Sequence, residues 1–485
     1  MRKRLEALAE KAAALEPNAY EQKQLLNKST DYTGRFLDSI YEQKAYTRFD
    51  DSVNSILEDP IDEEPCNPDQ LIYDIENRVV PPGLNPASGA HFAYIPGGGL
   101  FTSALGDYIT AITNRYAGVY YSSPGAVALE TRLINWMAEL IGFGEEAGGY
   151  LSSGGSIANL TAVVTAREDA GLKAADYPRA VVYLSEQAHH CVDRGLAIAG
   201  MQECIKRYIP LDSHSRMLSE EVEQAIQKDK ENGLIPWMVV ASGGTTDTGA
   251  IDPLEEIGEI AARHKVWYHI DAAYGGFFLL TDEGKEKLKG IARADSVVLD
   301  PHKGLFLPYG SGALVVKNLE KLAGAHRYEA NYMQDTKIQS GVYSPADISP
   351  ELSKHFRGLR LWMPLKLHGV KAFRSALEEK LLLARYAWQK LDEMPEIEVG
   401  HEPELSVFTF RWAPANKETD LDILNEELHK RMTDKGTVFL STTRINDEFR
   451  FRFVVLSVRS HLEQIDLFLE ELSKHIRAIK NSAEI

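Results

Sequence analysis

Trp267-Tyr268-His269-Ile270-Asp271-Ala272-Ala273-Tyr274-Gly275-Gly276 is a short apolar run that ends in an acid and then in small residues. Downstream, Ser296-Val297-Val298-Leu299-Asp300-Pro301-His302-Lys303-Gly304 repeats the form, with a lysine just past the run. Similar runs precede them at Gly149-Tyr150-Leu151-Ser152, Ala180-Val181-Val182-Tyr183-Leu184-Ser185 and Trp237-Met238-Val239-Val240-Ala241-Ser242. Segments of helical period, among them Ile157 to Ala170 and Pro253 to His264, separate many of these runs. Strand–helix alternation with continuously apolar strands predicts an α/β protein with a mostly parallel sheet covered on both faces.

In such a sheet, ligands collect where the strands end. Lys303 and Asp271 both stand at such ends, and together they suit pyridoxal phosphate (PLP). A lysine amine forms a Schiff base with its aldehyde, and a carboxylate keeps its pyridine nitrogen protonated so that the ring accepts electrons. Either residue alone is an ordinary surface lysine or strand-end acid.

Three further strand ends carry candidate groups. Ser152-Ser153-Gly154-Gly155-Ser156-Ile157 leads into a helix with Ser156 as the expected N-cap, and glycines there let backbone amides approach a phosphate. The same residues suit a plain strand-to-helix turn, and they match neither GxGxxG nor GxxxxGK[ST]. His189, in Gln187-Ala188-His189-His190, can lie on an aromatic ring, although paired histidines are also common loop residues. Neighbouring positions on an extended segment point to opposite sides, which disfavours metal ligation, and no metal is expected. Gly243-Gly244-Thr245-Thr246-Asp247-Thr248-Gly249 offers hydroxyls to a phenolic oxygen or phosphate; it equally suits a turn before a helix that Asp252 caps. Ala272 and Ala273 leave room for a flat ring. Five strand ends with partners for one cofactor make a coherent site.

The chain has 485 residues, a net charge of −18, 44% hydrophobic and 26% charged residues. That charge argues against a nucleic-acid partner, which needs a basic surface. Three cysteines, Cys66, Cys191 and Cys204, without CxxC spacing, fit a reducing cytoplasm. Charges interrupt Leu5 to Leu15, predicting an amphipathic helix, and no apolar run approaches the ~20 residues of a membrane span. Residues 1–95 are predicted to form a helical dimerisation segment and 96–371 the large α/β domain. Residues 372–485 are expected as a smaller α+β domain containing a helix from Ala372 to Leu391.

The motifs Ala93-Tyr94-Ile95-Pro96, Ser122-Ser123-Pro124 to Glu130, His269-Ile270-Asp271-Ala272-Ala273-Tyr274, Asp300-Pro301-His302-Lys303 and Phe356-Arg357-Gly358-Leu359-Arg360-Leu361-Trp362 resemble the group II PLP-dependent amino-acid decarboxylases. The resemblance runs from about Pro81 to the C-terminus. It implies PLP fold type I, a homodimer with shared active sites, and an amino acid as small-molecule substrate. It also implies Lys303 as the Schiff-base lysine, Asp271 at the pyridine nitrogen and His189 stacked on the ring. Ser153, Gly154, Gly155, Ser156 and His302 are then expected near the phosphate, with Thr246 and Ala273 near the cofactor. Tyr343 is the implied loop tyrosine that protonates the substrate carbon, with Tyr332 a second candidate.

The expected reaction is decarboxylation of an L-amino acid to its amine, with aromatic substrates favoured. No arginine or glutamine stands next to Ala93-Tyr94 to receive a side-chain carboxylate, and a buried unpaired carboxylate is costly. An acidic amino acid, or lyase or aldehyde-synthase chemistry on the same scaffold, is the alternative. Gly97-Gly98-Gly99 departs from the family by removing side chains where substrate contacts are expected, and Arg115 or Arg357 could reach in from elsewhere.

Overall fold

The structure is a computed structural model that describes residues 1–49, 51–326, 342–415 and 420–483. Its central sheet has seven strands, in the spatial order Gly148–Ser152, Gly312–Val316, Ser296–Leu299, Trp267–Asp271, Ile235–Ser242, Ala180–Leu184 and Ile205–Tyr208. Gly312–Val316 runs antiparallel to both neighbours, and every other adjacent pair is parallel. The remaining strands therefore share one direction, and their C-terminal ends open along one edge.

Continuous apolar sequence produces this arrangement by burial on both faces. Ala180–Leu184, Ser296–Leu299 and Gly312–Val316 are buried at every residue. Alternate positions serve opposite sides: Tyr268 and Ile270 pack with Ile257 and Ile260, while Trp267 packs with Val182 and Val240 on the other face.

Two expected caps differ. The helix after the first strand is Gly155–Asp169, with Gly154 at the N-cap position, so Ser156 lies inside the first turn. Asp252 does not cap Leu254–His264; it is buried and accepts the backbone N–H groups of Met217 and Ser242, each at 2.7 Å. Those bonds tie two loops to the sheet, and burial pushes its carboxyl up to about 6.

The helix expected from Ala372 runs instead from Gly358 to Asp392, broken at Gly369 by φ 72° and ψ 154°. That break lies within a few residues of the expected domain boundary. Beyond it, Ile397–Val399, Val407–Trp412, Glu448–Val454 and Phe439–Ile445 form an antiparallel sheet. Its fifth strand is His91–Phe92, paired parallel to Phe439 and Leu440. The N-terminal segment is thus stitched into the C-terminal sheet. Its own helices Arg2–Ala12 and Ala19–Asp38 bury no residue, and Leu5 and Leu8 are exposed. Among the described residues, no helix is long and apolar enough to cross a membrane.

Candidate active site

A cavity of about 280 Å³ lies at the strand-end edge, and residues from five of the strand-to-loop junctions line it. Ser153, Gly154, Gly155, Ser156, His189, Thr246, Asp271, Ala273, His302 and Lys303 all belong to its wall. The hydroxyls of Thr245 and Thr248, 2.9 Å apart, brace the loop that carries Thr246.

Lys303 projects from the single helical turn Pro301–Gly304, which directly follows Ser296–Leu299. Its Nζ is 3.2 Å from Oδ2 of Asp300. Burial works against the ammonium, but the Asp300 and Asp271 carboxylates outweigh it and hold the pKa above the ordinary lysine value. His189 is pushed down chiefly by burial. Its Nδ1 accepts the Cys191 N–H at 3.2 Å, so the proton of the neutral ring resides on Nε2. His302 is likewise lowered by burial, and its Nδ1 donates to the Ser311 carbonyl at 2.5 Å.

Asp271 ends its strand with Oδ1 accepting from Ala273 N–H and Oδ2 accepting from Asn159 Nδ2, both at 3.1 Å. Asn159 and Asp300 are site residues that the sequence reading missed. Asn159 lies one helical turn past the glycines, where apolar periodicity masks a polar side chain. Asp300 was legible as the residue three before the lysine, within reach along one helical turn.

The residues present fit PLP. Glycine at 154 and 155 opens the helix start: a Cβ on Gly155 would lie 2.9 Å from Asp300 Oδ2 and 3.4 Å from the Ala273 methyl. First-turn amides there have no intrahelical acceptor and suit a phosphate. Asp300 Oδ1 and Gln187 Oε1 are buried without a hydrogen-bond partner among the described residues, leaving polar groups for a ligand to satisfy.

Other expectations meet a different geometry. Tyr343 is not among the residues of the same chain that line this cavity: its hydroxyl donates to Glu320 Oε1 at 2.6 Å, and it lines a separate cavity of about 500 Å³. Tyr332 lies outside the described residues. Gly97 does not widen a substrate wall but packs on the lysine turn, its N–H donating to His302 O at 3.1 Å. A Cβ at Gly97 would fall 2.6 Å from Phe306 Cα. Gly98 and Gly99 have φ of 88° and 76°, and Arg459 donates to both their carbonyls. Arg357 is buried against Glu351, with N···O distances of 2.8 and 2.9 Å, and is not available to a substrate. Arg452 is buried near Asp247, Tyr274 and Tyr94, and its Nε and Nη2 have no hydrogen-bond partner among the described residues.

Residues 52–413 match the family model of the pyridoxal-dependent decarboxylase conserved domain. An aromatic-L-amino-acid decarboxylase of Bacillus atrophaeus is 32% identical over 456 residues, covering 93% of this chain and 94% of that protein. An acidic amino acid decarboxylase of Xenopus tropicalis is 31% identical over 391 residues, covering 77% of this chain and 76% of that protein. Among solved structures, the Oryza sativa TDC with PLP and tryptamine superposes with a TM-score of 0.91 at 25% identity, covering 96% of this chain and 99% of that one.

Proposed function

The chain belongs to the pyridoxal-dependent decarboxylase family and is a PLP-dependent carboxy-lyase; from that premise we propose that it converts an aromatic L-amino acid to its amine and CO2 with Lys303 as the cofactor-binding lysine. The supporting observation is the convergence of Lys303, Asp271, His189 and the glycine-opened helix start on one cavity. Bound PLP supplies an aldehyde for covalent capture of an amine, and a protonated ring that accepts the electron pair left as CO2 departs.

The protein's residues do the rest. Lys303 must lose a proton to act as a nucleophile, and Asp300 Oδ2 at 3.2 Å is the acceptor in contact with it. Asp271 keeps the ring nitrogen charged. The first-turn amides at Gly155 and Ser156 hold the phosphate, with Ser153 and His302 beside it. His189, uncharged, supplies a flat wall to the cavity. Return of a proton to the substrate carbon needs an acid, and His189 and Lys303 are described groups in the cavity wall able to carry one.

An aromatic side chain is favoured because, among the described residues, no arginine and no lysine other than Lys303 lines the cavity, which leaves no cation for a second carboxylate. The nearly equal identity of the acidic decarboxylase makes an acidic amino acid the second reading. Incubating the purified protein with PLP and single L-amino acids, measuring CO2, amine, aldehyde and ammonia, decides between them. Tryptophan, tyrosine or DOPA should give amine and CO2. Higher kcat/KM on glutamate, aspartate or cysteine sulfinate would overturn the substrate assignment, and aldehyde with ammonia would replace the reaction. Borohydride should fix the cofactor on Lys303, and label on another lysine would refute the site.

The assembly we propose is a homodimer with shared active sites. The N-terminal helices leave Leu5, Leu8, Leu25 and Leu26 exposed, and Phe101–Thr113 exposes Phe101, Leu105, Tyr108 and Ile112. Those stripes call for an apolar partner surface. A stable, active monomer in sedimentation would contradict this. Three unpaired cysteines support a cytoplasmic location.

A further inference from the structure

Trp267, His269 and Asp271 occupy alternate positions of one strand, so their side chains project from the same face. Two residues from other elements interleave with them. Ser296, the register partner of His269 on the neighbouring strand, accepts Trp267 Nε1–H at 2.8 Å and lies 2.8 Å from His269 Nδ1. Asn159, from the helix Gly155–Asp169, places Oδ1 2.7 Å from His269 Nε2 and donates from Nδ2 to Asp271 Oδ2 at 3.1 Å. Trp267, Ser296, His269 and Asn159 are each 5% exposed or less, so water cannot substitute for these partners.

The proton positions along this row have one self-consistent solution. At one end an indole nitrogen only donates, so Ser296 accepts from Trp267; at the other the Asp271 carboxylate accepts, which turns the Asn159 NH2 toward it and Oδ1 toward His269. An amide oxygen only accepts, so His269 carries its proton on Nε2, leaving Nδ1 to accept from the Ser296 hydroxyl, and burial holds the ring neutral, with a pKa lowered to about 4. The NH2 group is then left facing Asp271, and its second hydrogen is directed to Cys191 Sγ at 3.3 Å. A flipped amide would set two N–H donors against each other and two acceptor oxygens against each other.

We infer that Asn159 is the positioning residue of Asp271, oriented through a buried hydrogen-bond relay that begins at Trp267 and passes through Ser296 and His269. The inference rests on the assignment of Asp271 to the cofactor ring nitrogen. The Asn159 and Ala273 donors each occupy one oxygen of the Asp271 carboxylate at 3.1 Å, so losing Asn159 removes one of the two bonds that hold it against the ring nitrogen. The relay also fixes the rotation of the carboxylate, which stands at the end of its strand with one wall open to the cavity.

The test uses the PLP-loaded enzyme and four variants: Asn159→Leu, His269→Leu, His269→Gln and Asp271→Asn. Readouts are the pH dependence of the visible absorption of the bound cofactor, the rate of cofactor release, and kcat and KM separately. Asn159→Leu and His269→Leu should each shift the absorption titration and speed cofactor release. Each should lower kcat by about tenfold to a hundredfold, the loss expected for one charge-assisted hydrogen bond, with KM changed less than about threefold. His269→Gln, whose amide can present an N–H to Asn159, should recover most of what His269→Leu loses. If both leucine variants keep wild-type absorption, retention and kcat while Asp271→Asn does not, the relay is refuted. If Asn159→Leu fails to fold, equal behaviour of His269→Leu and His269→Gln refutes it as well. If Asp271→Asn itself changes nothing, the assignment of Asp271 fails first.

Discussion

Substituting Gly97 by alanine should damage the active site from a position outside its wall. Gly97 lies on the segment that crosses the lysine turn, held by its N–H on His302 O and by Val458 N–H on its own carbonyl. A Cβ there would stand 2.6 Å from Phe306 Cα, 2.7 Å from His302 O and 2.9 Å from Lys303 O. All three are backbone atoms, so no rotamer change relieves the clash. Moving the nearest contact from 2.6 Å to the 3.4 Å of ordinary packing displaces either the segment or the lysine turn by about 0.8 Å. Misplacing a reacting group by about 1 Å costs on the order of a hundredfold in rate. We therefore expect Gly97→Ala to lose about two orders of magnitude in kcat and to form the Lys303–cofactor bond more slowly. Gly125 is the control: it lies in the first turn of Pro124–Ile141, and a Cβ there would meet no atom within 4 Å. Alanine at that position should be silent or slightly stabilising. Stopped-flow absorption of PLP binding and steady-state CO2 release measure both effects. Wild-type kinetics in Gly97→Ala, with unchanged circular dichroism, would show that the crossing segment does not position the lysine.

Asp271→Asn should bind cofactor but lose most turnover, because an amide cannot hold the ring nitrogen protonated; near-normal CO2 release in the loaded variant would show that Asp271 does not serve the ring. Glu130 is buried with Lys354, whose side chain is fully enclosed, and also accepts the N–H groups of Arg357 and Gly358. Glu130→Gln should cost about 3–5 kcal/mol by stranding the ammonium, and adding Lys354→Met should recover much of it, as read from urea midpoints at fixed protein concentration. His91 and His269 are buried with pKa values lowered to about 4 from 6.5. Above pH 6.5 both states are neutral, whereas below it the unfolded chain takes up protons that the fold resists. Stability should therefore fall between about pH 6.5 and 4 by up to about 3 kcal/mol per histidine. His269→Gln should flatten that slope by about one proton, and an unchanged slope would refute the assignment.

The strand-end runs, their parallel order and the cofactor residues were legible in the sequence because each depends on neighbours only a few positions away. Apolar continuity in Ala180–Leu184 and Ser296–Leu299 reports burial on both faces, and in a parallel sheet every strand delivers its following loop to the same edge. That single rule brings Ser153, His189, Thr246, Asp271 and Lys303 to one cavity from the sequence alone. Pairings across long separations were not legible. His91–Phe92 looks like part of a separate N-terminal segment because its partner strand begins at Phe439. Asn159 and His269 look unrelated, since nothing local to either reveals that helix Gly155–Asp169 lays one beside the other. The glycines at 97 to 99 suggest an open pocket, while the fold uses Gly97 for close backbone packing and Gly98 and Gly99 for left-handed turns. The family resemblance assigns Tyr343 to the substrate carbon, whereas its hydrogen bond to Glu320, across 23 positions of sequence, belongs to the tertiary structure. Local pattern determines which residues face the core and which end a strand. Which buried donor meets which acceptor is decided only when distant elements pack, because that is when water is excluded and every polar group must find a partner.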